Sequence, residues 1–289
     1  MIVDSHCHAW TTWPYDTSVP DPQHRGTIER LLFEMDKEGV DRAVLICARI
    51  DHNPANNEYV FEASRRWPDR IVQFSDVDSG WSPEYHTPGA ADRLRAAIDR
   101  WGIAGFTHYV NEDNDGWMTS DEGMSFFALA AEAGLIASIA ATGAWMADIR
   151  AVAAAFPTLP ILLHHQGMAR ATDGPDSVDL REVLACASQP NISVKASGFY
   201  YGSAEYAEYP YPEQRALFAR IVEAFGPRRL TWGSDYPVCS WVACTFRQAL
   251  DVVRVHCADL LAPDDLAWVM GDTMETLLRT RRPVAGERP

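Results

Sequence analysis

Thr27-Ile28-Glu29-Arg30-Leu31-Leu32-Phe33-Glu34-Met35, then Gly39, then Ala43-Val44-Leu45-Ile46-Cys47-Ala48: this stretch sets two periodicities side by side. Ile28, Leu31, Leu32 and Met35 fall at helical spacing, with Thr27 as the N-cap and Gly39 as the stop. The short apolar run that follows has the length and composition of a strand buried on both faces. Preceded by Met1-Ile2-Val3-Asp4-Ser5-His6-Cys7-His8 as a first strand, it completes a strand-helix-strand unit.

The same grammar repeats outward to the C-terminus. Helical pattern at Asn56 to Trp67, Ala90 to Trp101, Asp121 to Ala133, Trp145 to Phe156, Leu180 to Ser188 and Glu213 to Phe225 alternates with strand pattern. The strands are 71–75, 103–110, 135–140, 160–165, 191–198 and 229–237. Further helical pattern covers Cys244 to Cys257 and Pro263 to Arg279. Regular alternation implies parallel strands, and eight of them in about 250 residues is the count and size of an α/β protein of the (β/α)8 TIM barrel type. An open doubly wound sheet is the runner-up, disfavoured because no Gly-x-Gly-x-x-Gly turn follows any strand. A single domain over 1–280 is expected, with 281–289 as a C-terminal tail lacking apolar periodicity.

With 47% hydrophobic and 22% charged residues, the chain has the composition of a soluble globular protein. The formal net charge of −15 argues against nucleic acid or an anionic membrane as partner, because both would repel it. The six scattered cysteines form no C-x-x-C pair and fit reduced thiols in a cytoplasm. No export signal or membrane span is visible, and the most apolar stretch, Phe126 to Ala147, is broken by Glu132, Gly134 and Thr142-Gly143. A cytoplasmic protein acting on a small molecule is the expectation, and a homo-oligomer stays open.

Polar residues at strand ends carry the chemistry. Side chains two apart share a strand face, so Asp4, His6 and His8 are expected together, with Cys7 turned away. Two imidazoles with one direction suit a divalent metal or a polarised carbonyl. Closing a barrel makes the eighth strand the neighbour of the first and sets Asp235 beside the His-x-His pair. On the seventh strand Ser193, Lys195 and Ser197 should face the lumen while Ile192, Val194 and Ala196 pack on helices. Lys195 is notable because Lys37 is the only other lysine among 25 basic residues; a lumen partner such as Asp4 is its structural alternative. His164 and His165 are adjacent, so alternation lets one face inward, and pattern alone leaves the choice open. His52, His86 and His108 stand in or near loops and are substrate-contact candidates. No Gly-x-Ser-x-Gly elbow is present, which argues against a serine nucleophile.

Four segments in order, Asp4-Ser5-His6-Cys7-His8, Leu163-His164-His165-Gln166-Gly167, Asn191 to Gly198, and Gly233-Ser234-Asp235-Tyr236-Pro237, resemble the amidohydrolase superfamily. Within it the resemblance is to the amidohydrolase-2 branch of sugar lactonases and 2-pyrone-4,6-dicarboxylate lactonase, and more distantly to aminocarboxymuconate semialdehyde decarboxylase. It spans nearly the whole chain. The resemblance implies a distorted (β/α)8 barrel, His6, His8, His165 and Asp235 as ligands of one divalent metal, zinc first, and Asp235 as the base that takes a proton from water. It also makes His165 an electrophilic donor, with metal-free catalysis as the alternative, and gives Lys195 a part in catalysis that it does not define.

Two departures qualify this. The fifth strand has no histidine, which implies fewer protein ligands for a metal and weakens a decarboxylase. Gly105-Phe106-Thr107 stands where lactonase relatives often have Gly-x-Arg to hold a carboxylate, which argues against a pyrone dicarboxylate. The expected activity is hydrolysis of a small lactone-like ester, the alternative being metal-dependent non-oxidative decarboxylation of an aromatic or unsaturated acid. Trp10, His52, Tyr109, Trp117, Tyr200 and Tyr201 are the expected substrate contacts.

Overall fold

In a computed structural model of the chain, residues 1–15, 19–50, 52–203, 209–242 and 244–280 are described. The expected tail, 281–289, and the centre of the loop near Gly202 to Pro212 lie outside them. Eight parallel strands run in the order β1 to β8: Val3–Cys7, Arg42–Ile46, Ile71–Asp76, Gly105–Tyr109, Ile136–Ala140, Ile161–Leu163, Ile192–Ala196 and Leu230–Trp232. The principal helices between them are α1 Ile28–Glu38, α2 Asn56–Arg66, α3 Ala90–Trp101, α4 Asp121–Glu132, α5 Met146–Ala155, α6 Val178–Ala185 and α7 Pro212–Phe225. After β8 come α8 Val238–Val242, α9 Phe246–Arg254, α10 Pro263–Ala267 and α11 Thr273–Thr280. This is the (β/α)8 barrel. Its seam is closed by the Asp235 amide donating to the His6 carbonyl and the His8 amide donating to the Tyr236 carbonyl, both at 2.7 Å.

Local chemistry sets the elements. Thr27 caps α1 by accepting from the Arg30 amide, and Gly39 ends it in the left-handed region. Strand residues divide by alternation. Ala43, Leu45, Ile192, Val194 and Ala196 join the large core between strands and helices. Val3, Val44, Ile46, Val72, Phe74, Ala104, Ile136 and Leu162 form an inner core, filled from below by Met274 and Leu278 of α11. The barrel is thus a packed plug with a polar upper end. Among the described residues, no helix is long and apolar enough to cross a membrane.

Three expectations about the strands change. The sixth and eighth end earlier than expected, at Leu163 and Trp232, so His164, His165 and Asp235 lie just past strand ends. On β1 the pairing slips between Asp4 and Cys7, a bulge that opposes an extra residue to β2. The slip breaks alternation, so Asp4 does not share the direction of His6 and His8. Its carboxylate accepts from the His6 amide, the Ser234 amide and the Ser234 hydroxyl.

Candidate active site and metal centre

Asp235 is the centre of the polar upper end. It follows β8 with φ 56, a left-handed conformation that costs a non-glycine residue on the order of 1 kcal/mol. Gly233 makes the approach possible, since a Cβ there would stand 2.7 Å from the His6 Cβ. One carboxylate oxygen, Oδ2, accepts from the hydroxyls of Tyr200 and Tyr201, the latter at 2.8 Å. The other, Oδ1, lies 3.4 Å from His6 Nε2, 3.3 Å from His8 Nε2 and 4.0 Å from His165 Nε2.

Each imidazole is anchored through its other nitrogen. His8 Nδ1 meets the Ile46 carbonyl at 2.7 Å, and Trp10 stacks on the ring at 5.0 Å. A carbonyl only accepts, so neutral His8 carries its proton on Nδ1 and turns a lone pair towards Asp235. His165 Nδ1 pairs with the Ser197 hydroxyl at 3.0 Å, and His6 Nδ1 with Lys195 Nζ at 3.0 Å. Lys195 also donates to Ser138 at 2.6 Å, and Ser138 meets His164 Nε2 at 2.7 Å. The lysine's direct partners are therefore Ser138 and His6, and not Asp4.

Both adjacent histidines turn inward, against the expectation that one would. Alternation places His164 inward after Leu162. The strand ends there, and His165 follows with φ 42, which brings its ring within 4.4 Å of His6. Ser138, inward on β5, is the residue that sequence reasoning passed over, and His164 the one that the resemblance set behind His165. The inward alternation of Ile136 and Ser138 was the available signal.

Burial governs the titration of the set. It pushes His6 and His164 well below the ordinary histidine range, helped by the Lys195 charge, and His165 down to about 4. Burial also lowers Lys195 well below the usual amine range. For Asp235 burial favours the neutral form, yet the adjoining His165, His6 and His8 hold its pKa well below the carboxylate range. Asp4, buried, is raised to about 7.

Buried polar atoms normally have partners. Here His6 Nε2 and Asp235 Oδ1 are buried without a hydrogen bond, and so is His164 Nδ1. The ligand atoms of His6, His8 and Asp235 lie within 4.8 Å of one another. Tetrahedral zinc with bonds near 2.0–2.1 Å sets its donors about 3.3 Å apart, so the residues present fit such an ion. His165 forms a second such group with His6 and His164, and its Nε2 lies 4.0 Å from Asp235 Oδ1. The candidate donors thus come from β1 and from the segments just past the ends of β1, β6 and β8, despite the missing fifth-strand histidine.

The other expected contacts divide. Tyr109 meets His164 edge-on at 5.1 Å, and Tyr200 and Tyr201 touch Asp235. Trp10 is buried at 1% exposure behind His8, with its indole N–H on the Ala48 carbonyl. Trp117 is buried among His86, His108 and Phe126 and contacts none of the Asp235 set. His52 is exposed in a groove lined by Asn53, Glu58, Tyr59 and Glu62, outside the cluster.

Comparison with known proteins agrees with this architecture. Superposition matches a probable 2-pyrone-4,6-dicarboxylic acid hydrolase from Acinetobacter baumannii with citric acid bound, at TM-score 0.75 and 17% identity, over 96% of this chain and 99% of that one. An amidohydrolase from Burkholderia multivorans with bound zinc matches at TM-score 0.77 and 17% identity over the same shares. The 2,6-dihydroxybenzoate decarboxylase from Rhizobium matches at 0.67 and 14%, over 96% of this chain and 98% of that one. Identities this low show the fold. Residues 3–280 match the amidohydrolase family model Amidohydro_2, and the chain belongs to that family.

Proposed function

We propose that the protein hydrolyses a small lactone-like cyclic ester, with Asp235 as the base. The observation that carries this reading is Asp235 Oδ1, a buried carboxylate oxygen without a hydrogen bond that faces three imidazole nitrogens. With Oδ2 occupied by the two tyrosine hydroxyls, Oδ1 is the oxygen turned into the site, where it would take a proton from water beside the ion. His6, His8, His165 and Asp235 would hold one divalent ion, zinc by its nitrogen-rich donor set. When bound, such an ion supplies Lewis-acid polarisation of an ester carbonyl and makes water easier to deprotonate. The Nδ1 proton of His8 on Ile46 supports the ligand role, because neutral His8 then cannot donate from Nε2 to an oxyanion. Lys195, whose burial favours the neutral amine, holds the His6 ring from behind by accepting from Nδ1–H, which would leave the Nε2 lone pair for the ion, in a chain that continues to Ser138 and His164.

The decarboxylase alternative needs a cation to seat the substrate carboxylate. Among the described residues the basic side chain hydrogen-bonded to the cluster is Lys195, whose buried amine is already engaged by His6 and Ser138. Turnover of a panel of lactones and aromatic acids, read by acid release against CO2 release, separates the two. Acid release from a lactone is expected, and CO2 release with no lactone turned over would overturn the reading.

A further inference from the structure

Trp81 stands apart from the other tryptophans. Of the other nine, Trp10, Trp13, Trp117, Trp145 and Trp232 are buried and Trp67, Trp101, Trp241 and Trp268 are partly buried, whereas Trp81 is 37% exposed. The other exposed large apolar residues, Met1, Phe33, Val178 and Val255, lie on helices, just after one, or at the N-terminus. Trp81 sits in the loop that leaves β3 at the end of the barrel where the Asp235 cluster lies.

The loop is built to hold that ring still. Asp76, the last residue of β3, faces inward after Val72 and Phe74, and is buried. Its Oδ2 accepts from the Trp81 indole N–H and the Arg49 amide, both at 2.7 Å. The Trp81 ring lies 4.6 Å from Tyr109, whose own ring meets His164 at 5.1 Å. Gly80 donates its amide to the Tyr109 carbonyl at 2.8 Å, and a Cβ at Gly80 would strike Asn111 Oδ1 at 2.5 Å. Arg93 pairs with Asp78 at 2.6 Å and also holds the carbonyls of Glu84 and Thr87.

A buried carboxylate is costly to desolvate, and burial raises the pKa of Asp76. Using it to orient a half-exposed indole adds little to core packing. A rigid aromatic face at the same end of the barrel as a reaction centre, linked to it through Tyr109 and His164, lowers the ordering cost of binding a ligand. We propose that Trp81, backed by Tyr109, is the specificity-determining platform on which the non-reacting face of an uncharged, ring-shaped substrate stacks while its carbonyl reaches Asp235. This rests on the lactone reading above and narrows it to substrates with an uncharged ring face.

The test has two arms. In the first, the full chain is labelled with 5-fluorotryptophan and the Trp81 resonance is assigned by its loss in Trp81→Phe, then followed by 19F NMR as δ-gluconolactam is added. A shift of that line is expected; an unmoved line, whether or not others move, overturns the platform. In the second, Trp81→Ala should raise KM for cyclic lactones by about 3- to 10-fold with kcat nearly unchanged, and Trp81→Phe should restore most of it. An equal rise for an acyclic ester, or a fall in kcat alone, overturns it. A moving Trp81 line without lactone turnover would leave the platform standing and remove the lactone reading, and turnover with an unmoved line would do the reverse.

Discussion

Two clusters of buried histidines occupy the upper part of this barrel, and they differ in where their nitrogens point. Beside β4, His86 lies between the rings of Tyr85 at 3.6 Å and Trp117 at 4.1 Å. Its Nδ1 meets Asp115 at 2.7 Å, its Nε2 meets His108 Nε2 at 3.2 Å, and His108 Nδ1 meets the Val77 carbonyl at 3.2 Å. Every ring nitrogen there has a partner within the protein. At the barrel mouth, His6 Nε2, His164 Nδ1 and Asp235 Oδ1 are buried without one. Histidine content alone does not separate the two clusters, but hydrogen-bond satisfaction does. A closed network holds two loops together, and an open one leaves donor atoms for a ligand.

The sharpest contrast is metal affinity. One divalent ion per chain is expected in the purified protein, and His8→Ala should weaken it more than about 100-fold, beyond the usual effect of an outer-shell change. His86→Gln should leave it within a few-fold. Metal titration of both variants checks this, and equal losses would erase the distinction.

The closed cluster should register in stability. Burial and the neighbouring His86 push His108 down to about 3 from an ordinary 6.5. A depressed folded-state pKa gives stability that is present above the unfolded value and is lost as pH falls towards the folded one. Stability should therefore drop between about pH 6.5 and pH 3, with a contribution on the order of a few kcal/mol from this residue. His108→Gln should flatten part of that slope in pH-dependent denaturant unfolding while leaving turnover at neutral pH little changed. An unaltered slope would remove His108 from the account. The smallest effect is expected at His52, exposed and outside both clusters, where His52→Ala should change kcat and KM by less than about 2-fold on the lactone panel; a larger loss would bring its groove into the site.

Much of this was legible beforehand because it depends on periodicity and closure. The alternation of helix and strand patterns yields eight parallel strands, and closure alone puts Asp235 beside His6 and His8. What failed was strict alternation at places where the backbone leaves it. The bulge between Asp4 and Cys7 turned Asp4 to Ser234, and the left-handed turn at His165 let both adjacent histidines enter. Such departures depend on tertiary contacts that no short window of sequence contains. Loop residues were least readable. Trp117 and Tyr201 look alike as aromatic loop residues, yet one packs on His86 and the other binds Asp235.

The central claim is that Asp235 Oδ1 is the base of a hydrolytic site. Initial rates of lactone opening, followed by pH-stat for the wild-type protein and Asp235→Asn, test it most directly. The substitution keeps the shape and removes the basic oxygen, so kcat should fall by about 10²–10⁴-fold. Full activity in Asp235→Asn would contradict the account.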